Sequence, residues 1–175
     1  MTLTLGTTPA LTTASPDPDP SRVTDRAPRW LTDQEMAAWL PLVRFVHLLP
    51  QALDRQLREE AGISHVYYQI LAMLSGAPDG RLRMSELAGL TSTSTSRLSH
   101  AVAALEDRGW VKRRSCDTDR RGQLAQLTDA GRRELERTAP GHVDEVRRRV
   151  FDVLTDDEVA QLRALAEKLS AAAEL

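Results

Sequence analysis

The apolar residues near the start of the chain recur at intervals of three and four positions from about residue 32 to residue 61. That period predicts one long amphipathic helix, which Gly62 would end. Thr32 and Glu35 stand three residues apart and predict a capping box at its start, because each side chain can satisfy a backbone amide near the other. Pro41 and Pro50 predict a kink or a break within the helix.

Further helices are predicted on both sides of the middle of the chain. A second apolar helix spans residues 64–74 and stops at the turn-forming segment 77–80. After residue 128 comes a helix rich in Arg and Glu, interrupted near Pro140 and continuing over residues 142–154. Thr155 and Glu158 predict another capping box, followed by a C-terminal helix with an apolar stripe of Val159, Leu162, Leu165 and Leu169.

The first and last helices carry more apolar surface than a small central domain could cover. We therefore expect them to form a dimerisation layer between two copies of the chain. The alternative is that both helices fold back onto their own domain.

The centre of the chain has the pattern of a helix-turn-helix. Met84, Leu87 and Ala88 predict a short helix, and Gly89 suits a tight connection to the next one. The second helix would bury Leu98, Ala101, Val102 and Leu105 and leave polar side chains on its other faces, namely Thr93, Ser96, Arg97, Ser99 and His100. Such groups can reach base edges and phosphates in a major groove, although a Ser/Thr run at a helix start is also ordinary capping.

A basic hairpin follows this pattern. Residues 110–114 and 123–127 can pair as strands around a loop that contains Cys116, Asp119, Arg120, Arg121 and Gly122. An Arg at a loop tip can enter a narrow minor groove, and a nearby carboxylate can hold its direction. We expect Arg121 to do so, oriented by Asp119. Together, the elements predict a mainly α fold with a small β-wing, an α+β winged helix-turn-helix.

Charge is distributed unevenly along the chain. The formal net charge is −2, but residues 81–127 hold nine Lys and Arg against five Asp and Glu, so the remainder of the chain is acidic. The positive charge therefore coincides with the predicted helix-turn-helix and wing, which favours a nucleic-acid contact there. A solvated basic surface without a ligand is the alternative.

Composition excludes several other classes. Residues 1–29 are rich in Thr and Pro and predict a disordered tail. With no secretory signal and no run of eighteen apolar residues, we expect a cytoplasmic protein that does not enter a membrane. Cys116 is the one cysteine, and His47, His65, His100 and His142 lack metal-ligand spacing, so we expect no metal and no cofactor. Motifs of an enzyme active site are also lacking.

The chain resembles the MarR family of bacterial winged-helix transcriptional regulators. The resemblance rests on segments 84–88, 96–100 and 105–111, and on Asp119-Arg120-Arg121-Gly122 continuing into residues 127–131. It covers residues 30–175 as one domain, with residues 77–127 as the winged helix-turn-helix and residues 30–76 and 128–175 as the helical dimerisation layer.

The resemblance implies a homodimer, most simply a repressor, on a pseudo-palindromic double-stranded DNA operator. Two recognition helices would enter successive major grooves and two wings the flanking minor grooves, with half-sites about 10 bp apart. By position, the recognition-helix residues of the family correspond to Thr93, Thr95, Ser96, Arg97, Ser99 and His100. Asp119 and Arg121 correspond to its wing pair, and Arg113, Arg114 and the wing residue Arg120 are expected to contact phosphates.

The resemblance also implies regulation by a small, often aromatic ligand or by cysteine oxidation. Trp39, His47, Tyr67 and Tyr68 could line a ligand cavity, although aromatic residues at helical spacing usually belong to a core. Cys116 lies in the wing rather than in the first helix, where oxidation-sensing relatives carry their reactive cysteine, and nearby Arg113 and Arg114 could still activate it. Two alternatives to a ligand-controlled repressor remain: a redox sensor that acts through Cys116, and a winged-helix interaction module without DNA binding.

Overall fold

A computed structural model describes residues 28–116 and 119–173, without the side chains of residues 116 and 119–122. Six helices and three strands follow in the order α1, α2, β1, α3, α4, β2, β3, α5 and α6. The predicted tail falls almost wholly on residues 1–27, which lie outside the described part of the chain. The mainly α fold with a small β-wing is confirmed.

Helix α1 spans Asp33–Ala61 and is continuous. The capping box at its start is confirmed, because the Thr32 amide donates to Glu35 at 2.7 Å and the Glu35 amide donates to the Thr32 hydroxyl at 3.2 Å. Of the two outcomes expected at Pro41 and Pro50, a break is wrong, since both prolines lie inside the continuous helix, and a kink stays a prediction. Each proline removes only one amide donor, and the rest of the backbone ladder stays intact.

Helix α2 (His65–Gly76) forms the centre of the main core together with α3 (Met84–Leu90) and α4 (Thr95–Asp107). Ile70, Leu71 and Leu74 of α2 pack with Leu87 and the buried stripe predicted for α4. Burying a side chain of this size completely stabilises the fold by about 1.5–3 kcal/mol. This core fixes the position of α4 relative to the other two helices.

The sheet has three antiparallel strands in the order β1–β3–β2, one more than the sequence pattern predicted. Strands β2 (Val111–Cys116) and β3 (Asp119–Leu127) form the wing, and the added strand β1 is Arg81–Arg83. Three residues are too few to show an alternating pattern, which explains why β1 was not predicted. Ala125 of β3 is fully buried and closes one side of the core.

The C-terminal part contains α5 (Asp129–Val146), a π-helical turn (Arg147–Phe151) and α6 (Asp156–Ala173). The interruption expected at Pro140 is wrong, since α5 continues through it. Helix α5 packs against α1, with Gly141 close to the side chains of Gln56 and Glu60 in the C-terminal half of α1. The second capping box is confirmed by hydrogen bonds between Thr155 and Glu158 in both directions.

The N-terminal half of α1 and the whole of α6 expose their apolar stripes. Trp39 is 51% exposed and Leu165 is 58% exposed, and no described residue of α6 is buried. By length and composition alone α1 could cross a membrane, because an 18-residue window has a mean hydropathy of 1.2 and is only 11% buried. A helix that packs against a second protein chain meets the same criteria, so this is weak evidence for a membrane span.

Candidate nucleic-acid interface

Helices α3 and α4 are joined by a short, hydrogen-bonded turn. The Thr91 hydroxyl donates to the Leu87 carbonyl at 2.8 Å, and the Thr93 amide donates to the Ala88 carbonyl at 3.0 Å. The turn needs one left-handed residue, which is Ser92 with φ of 47°. Gly89, assigned to this connection from the sequence, lies within α3 instead.

The outer face of α4 carries a polar, short-chained surface. Ser94 caps the helix by accepting from the Arg97 amide at 3.4 Å. The side chains that follow are exposed at four of the expected positions, Thr95, Ser96, Arg97 and His100. Thr93 lies before the helix, half-buried, with its hydroxyl donating to the Thr91 carbonyl at 3.0 Å. Ser99 is half-buried beside strand β2.

Arg113 ties strand β2 to helix α4. Its guanidinium Nη2 donates to the Ser99 carbonyl at 2.6 Å, and its backbone amide donates to Glu106 Oε1 at 2.7 Å. Its Nε lies 3.2 Å from Glu106 Oε2, an ion pair rather than a well-aligned hydrogen bond. The structure therefore commits Arg113 to contacts within the chain, whereas the sequence interpretation made it a phosphate contact.

The register of the sheet sorts its basic residues onto two faces. Arg113 lies opposite buried Ala125, on the face that packs against the core. Lys112 and Arg114 pair with Gln126 and Leu124, which places them on the outer face, and both are exposed. Arg81 and Arg83 of β1 pair with the same two residues from the other side and so share that face. Lys112 was missed by the sequence interpretation, although the two-residue period of a strand separates it from Arg113.

Residues 117–118 at the wing tip lie outside the described part of the chain, and residues 116 and 119–122 are described only in their backbone. Cys116 pairs in register with Asp119, and an irregularity in the ladder lies between Ser115 and Cys116. Arg120 and Arg121 belong to strand β3. The expected Asp119–Arg121 contact, the role of Arg120 and the reactivity of the Cys116 thiol concern side chains outside the described part of the chain.

The base of the wing is fixed to the start of α5. Thr128 caps α5 by accepting from the Gly131 amide at 3.0 Å, while its hydroxyl also lies 2.7 Å from the Gly109 carbonyl and 3.0 Å from the Trp110 carbonyl. Gly131 approaches so closely that a Cβ there would overlap the Trp110 carbonyl. The guanidinium of Arg108 lies 5.0 Å from the Trp110 ring, a cation–π contact at the end of α4.

The four residues expected to line a ligand cavity do not meet in one cavity of the described chain. Trp39 and His47 are exposed on the N-terminal half of α1, and His47 Nδ1 bonds the Val43 carbonyl at 2.7 Å. Tyr67 lies under Arg108, and Tyr68 packs against His142. A different cavity of about 630 Å³ lies between α1 and the π-helical turn, lined by Pro41, Arg44, Phe45, Leu48, Leu49, Arg148 and Arg149.

Among residues 28–115 and 123–173, whose side chains are described, no group of three His, Cys, Asp or Glu could hold a metal ion. What the described residues do assemble is a helix with an exposed polar face beside a basic hairpin. Fold and site together define a winged helix-turn-helix protein.

Comparison with known proteins places this winged helix in a family. The family model that matches is that of the MarR family, over residues 61–122. The transcriptional repressor YetL of Bacillus subtilis is 32% identical over 113 residues, which cover 62% of this chain and 67% of YetL. The chain therefore belongs to the MarR family.

Solved structures from Streptomyces coelicolor agree. The MarR family regulator Sco3205, crystallised in complex with DNA, is 51% identical and aligns with a TM-score of 0.76 over 84% of this chain and 91% of its own. The MarR family regulator AbsC is 36% identical, with a TM-score of 0.78 over 84% of this chain and 99% of its own. These relatives are transcriptional regulators rather than enzymes.

Proposed function

We propose that this protein is a cytoplasmic transcriptional regulator that binds a specific double-stranded DNA operator as a homodimer. The observation that carries the proposal is the exposed polar face of α4 beside the basic outer face of the wing. Relatives add support, since Sco3205 and a mutant MarR of Escherichia coli, 28% identical, were both crystallised with DNA.

Base recognition falls to the exposed residues of α4. Ser96, Arg97 and His100 are spaced so that they face outward over more than one helical turn. The Arg97 guanidinium makes no hydrogen bond or ion pair with other described residues, and it can bind guanine O6 and N7 together. Thr95 and Ser94 bring the helix start close to the phosphates, where its amides favour an anion.

Phosphate contacts fall to the wing, with Arg114 and Lys112 in the main role. Arg113 is a positioning residue, because its guanidinium is bound to Ser99 and Glu106. Thr93 and Ser99 act through the turn and the β2 contact rather than through base edges. For the wing tip we keep the sequence-based proposal that Arg121 enters the minor groove with Asp119 orienting it and Arg120 beside the backbone.

A second copy of the chain would cover the exposed apolar stripes of α1 and α6. Met36, Trp39 and Phe45 of α1 are each more than 40% exposed, as are Leu165 and Leu169 of α6. A monomer rarely exposes this much contiguous apolar surface. We propose residues 30–64 and 128–175 as the dimerisation layer and residues 65–127 as the reading part, because α2 belongs to the core beneath α4.

Selection of bound fragments from genomic DNA tests this proposal. A two-fold related motif with half-sites about 10 bp apart is expected, because a symmetric dimer presents its two α4 helices to successive major grooves. Recovery of fragments without a shared motif would contradict sequence-specific recognition. A shared motif without two-fold symmetry would contradict the dimer. Repression, ligand release and a redox response through Cys116 stay predictions, to be tested once the operator is known.

A further inference from the structure

Three aromatic side chains meet where α1, α2 and α5 come together. The ring of His142 on α5 lies 4.1 Å from the ring of Tyr68 and 5.6 Å from the ring of His65, centroid to centroid. Both partners belong to α2, one turn apart. We call His65, Tyr68 and His142 the imidazole cluster.

His142 is the buried member of the imidazole cluster, whereas His65 and Tyr68 are half-buried. His142 is only 8% exposed, and its Nδ1 is buried without a hydrogen-bond partner among the described residues. Burial lowers the pKa of His65, which the carboxylate of Asp54 offsets only in part. Burial, followed by the charge of the neighbouring His65, lowers the pKa of His142. Burial therefore favours the neutral form of both rings over the charged form.

Charged groups face the cluster from each neighbouring helix, and they already have partners. On α1, Asp54 accepts from the His65 amide at 2.9 Å and pairs with Arg58 at 2.6 Å. Also on α1, Glu60 accepts from Gln56 at 2.6 Å. On α5, Glu145 pairs with Arg148 and Arg149, and Glu134, eight residues before His142, pairs with Arg137 at 2.5 Å. On the α2 side, the ring of Tyr67 lies under Arg108. None of these carboxylates is hydrogen-bonded to either imidazole.

The imidazole cluster lies between the winged part of the protein and the helical layer. Helix α2 belongs to the core beneath α4. Helix α5 belongs to the proposed dimerisation layer and packs against α1, which carries one of the exposed apolar stripes. A force between His65 and His142 therefore acts between the two parts of the protein. We propose that the imidazole cluster is a proton-sensitive joint, and that its protonation weakens operator binding by changing how the winged part sits on the helical layer. The inference rests on the proposed DNA-binding function.

Acid acts on the joint in a defined direction. As pH falls below about 6.5, the ordinary value for histidine, protons favour states in which the two rings are apart and solvated. Two positive imidazoles at this separation repel each other, and a proton on His142 Nδ1 adds a buried donor without a partner.

The test compares operator affinity at pH 7.5 and pH 5.5 for full-length protein. We expect the dissociation constant of the wild type to rise by about tenfold or more, since each linked proton can contribute up to tenfold per pH unit. His142→Phe keeps the ring contact but cannot titrate, and should lose most of this pH dependence. Tyr68→Phe is the matched control, because it keeps both imidazoles, and should behave as the wild type does.

Three measurements without DNA separate this inference from the proposed function. Imidazole titration by NMR should place the pKa values of His65 and His142 below the ordinary histidine value of about 6.5. The dimer mass should be the same at both pH values. Hydrogen exchange at the start of α2 should speed up at pH 5.5 in the wild type but not in His142→Phe. Ordinary pKa values for His65 and His142 would contradict the proposed joint even if the protein binds its operator. Equal pH dependence of operator affinity in the wild type and in His142→Phe would contradict it as well. Failure to bind any DNA at pH 7.5 would instead remove the proposed function.

Discussion

The guanidinium of Arg113 lies 2.6 Å from the backbone carbonyl of Ser99, so strand β2 is hydrogen-bonded directly to helix α4. The same residue contacts Glu106, the penultimate residue of α4, through both its backbone amide and its side chain. The wing and α4 are therefore held as one unit, and a change in the angle of one changes the angle of the other.

Replacing Arg113 by Ala should destabilise the protein and weaken DNA binding together. Charged hydrogen bonds of this kind contribute about 1.5–3 kcal/mol, and the half-buried carboxylate of Glu106 would lose its ion-pair partner. Urea unfolding and DNA affinity, measured on the same preparation, check this. Arg114→Ala on the outer sheet face is the control, and its unfolding midpoint should stay within error. Unchanged unfolding in Arg113→Ala would show that the wing is not held through this residue.

Arg97→Ala and Arg114→Ala should weaken DNA binding in different ways. Loss of a base-reading Arg costs about 1–3 kcal/mol on the correct site and much less on scrambled DNA, so the specificity ratio falls. Loss of a phosphate contact weakens binding to every sequence alike and reduces the salt slope by about 0.9. Titrations of both duplexes at several salt concentrations distinguish the two. Equal losses on both duplexes for Arg97→Ala would contradict its role in base recognition.

Gly131→Ala should be strongly destabilising because the added Cβ would overlap the Trp110 carbonyl and the side chain of Leu127. Overpacking of this kind costs about 1–3 kcal/mol and here also displaces the hydrogen bonds that tie α5 to the wing. Thermal unfolding measures the effect. Gly89→Ala is the matched control, since it lies in a helix with open space around it and should be neutral or stabilising by up to about 1 kcal/mol. Similar melting temperatures for the two variants would be inconsistent with the close approach.

Leu165→Asp should shift the protein from dimer towards monomer. A charge placed in an apolar interface costs several kcal/mol, which corresponds to a rise in the dimer dissociation constant of about a hundredfold or more. Analytical ultracentrifugation over a concentration series gives that constant. Glu167→Gln, which removes only an exposed ion pair with Arg163, should leave it unchanged. A dimer of unaltered strength in Leu165→Asp would place the interface elsewhere.

Folding stability should fall between pH 7.5 and pH 5.5. The pKa values of His65 and His142 are lowered by burial, so the folded state binds fewer protons than the unfolded chain below about pH 6.5. The folding stability that His65 and His142 contribute is fully present above about pH 6.5. It is lost as the pH falls from there towards their lowered pKa values. Urea unfolding at both pH values checks the sign, and His142→Phe should show a smaller difference. A wild type that is more stable at pH 5.5 would contradict the lowered pKa values.

The sequence predicted the helices and the wing well where a period or a cap defined them. Thr32 and Glu35 marked the start of α1 because a capping box is a local feature, and Leu98 to Leu105 showed the buried stripe of α4. Pro41 and Pro140 do not break their helices, contrary to the sequence prediction, because a helix with otherwise intact hydrogen bonds tolerates one missing donor. Strand β1 was missed because three residues carry no period.

The candidate site was less predictable than the fold. Arg113 and Arg114 are equivalent in a count of charge, and only the strand period, confirmed by pairing with Ala125 and Leu124, shows which one faces outward. Tyr68 and His142 are more than seventy positions apart in the sequence, so no local pattern could predict their contact. Long-range packing of α2 against α5 creates it.

The most direct test of DNA recognition is a fluorescence-anisotropy titration of the protein against the duplex recovered by genomic selection and against its scrambled counterpart. We expect saturable binding to the selected duplex at least about a thousandfold tighter than to the scrambled one at physiological salt. Equal affinity for the two duplexes, or no binding to either at low salt, would contradict the account.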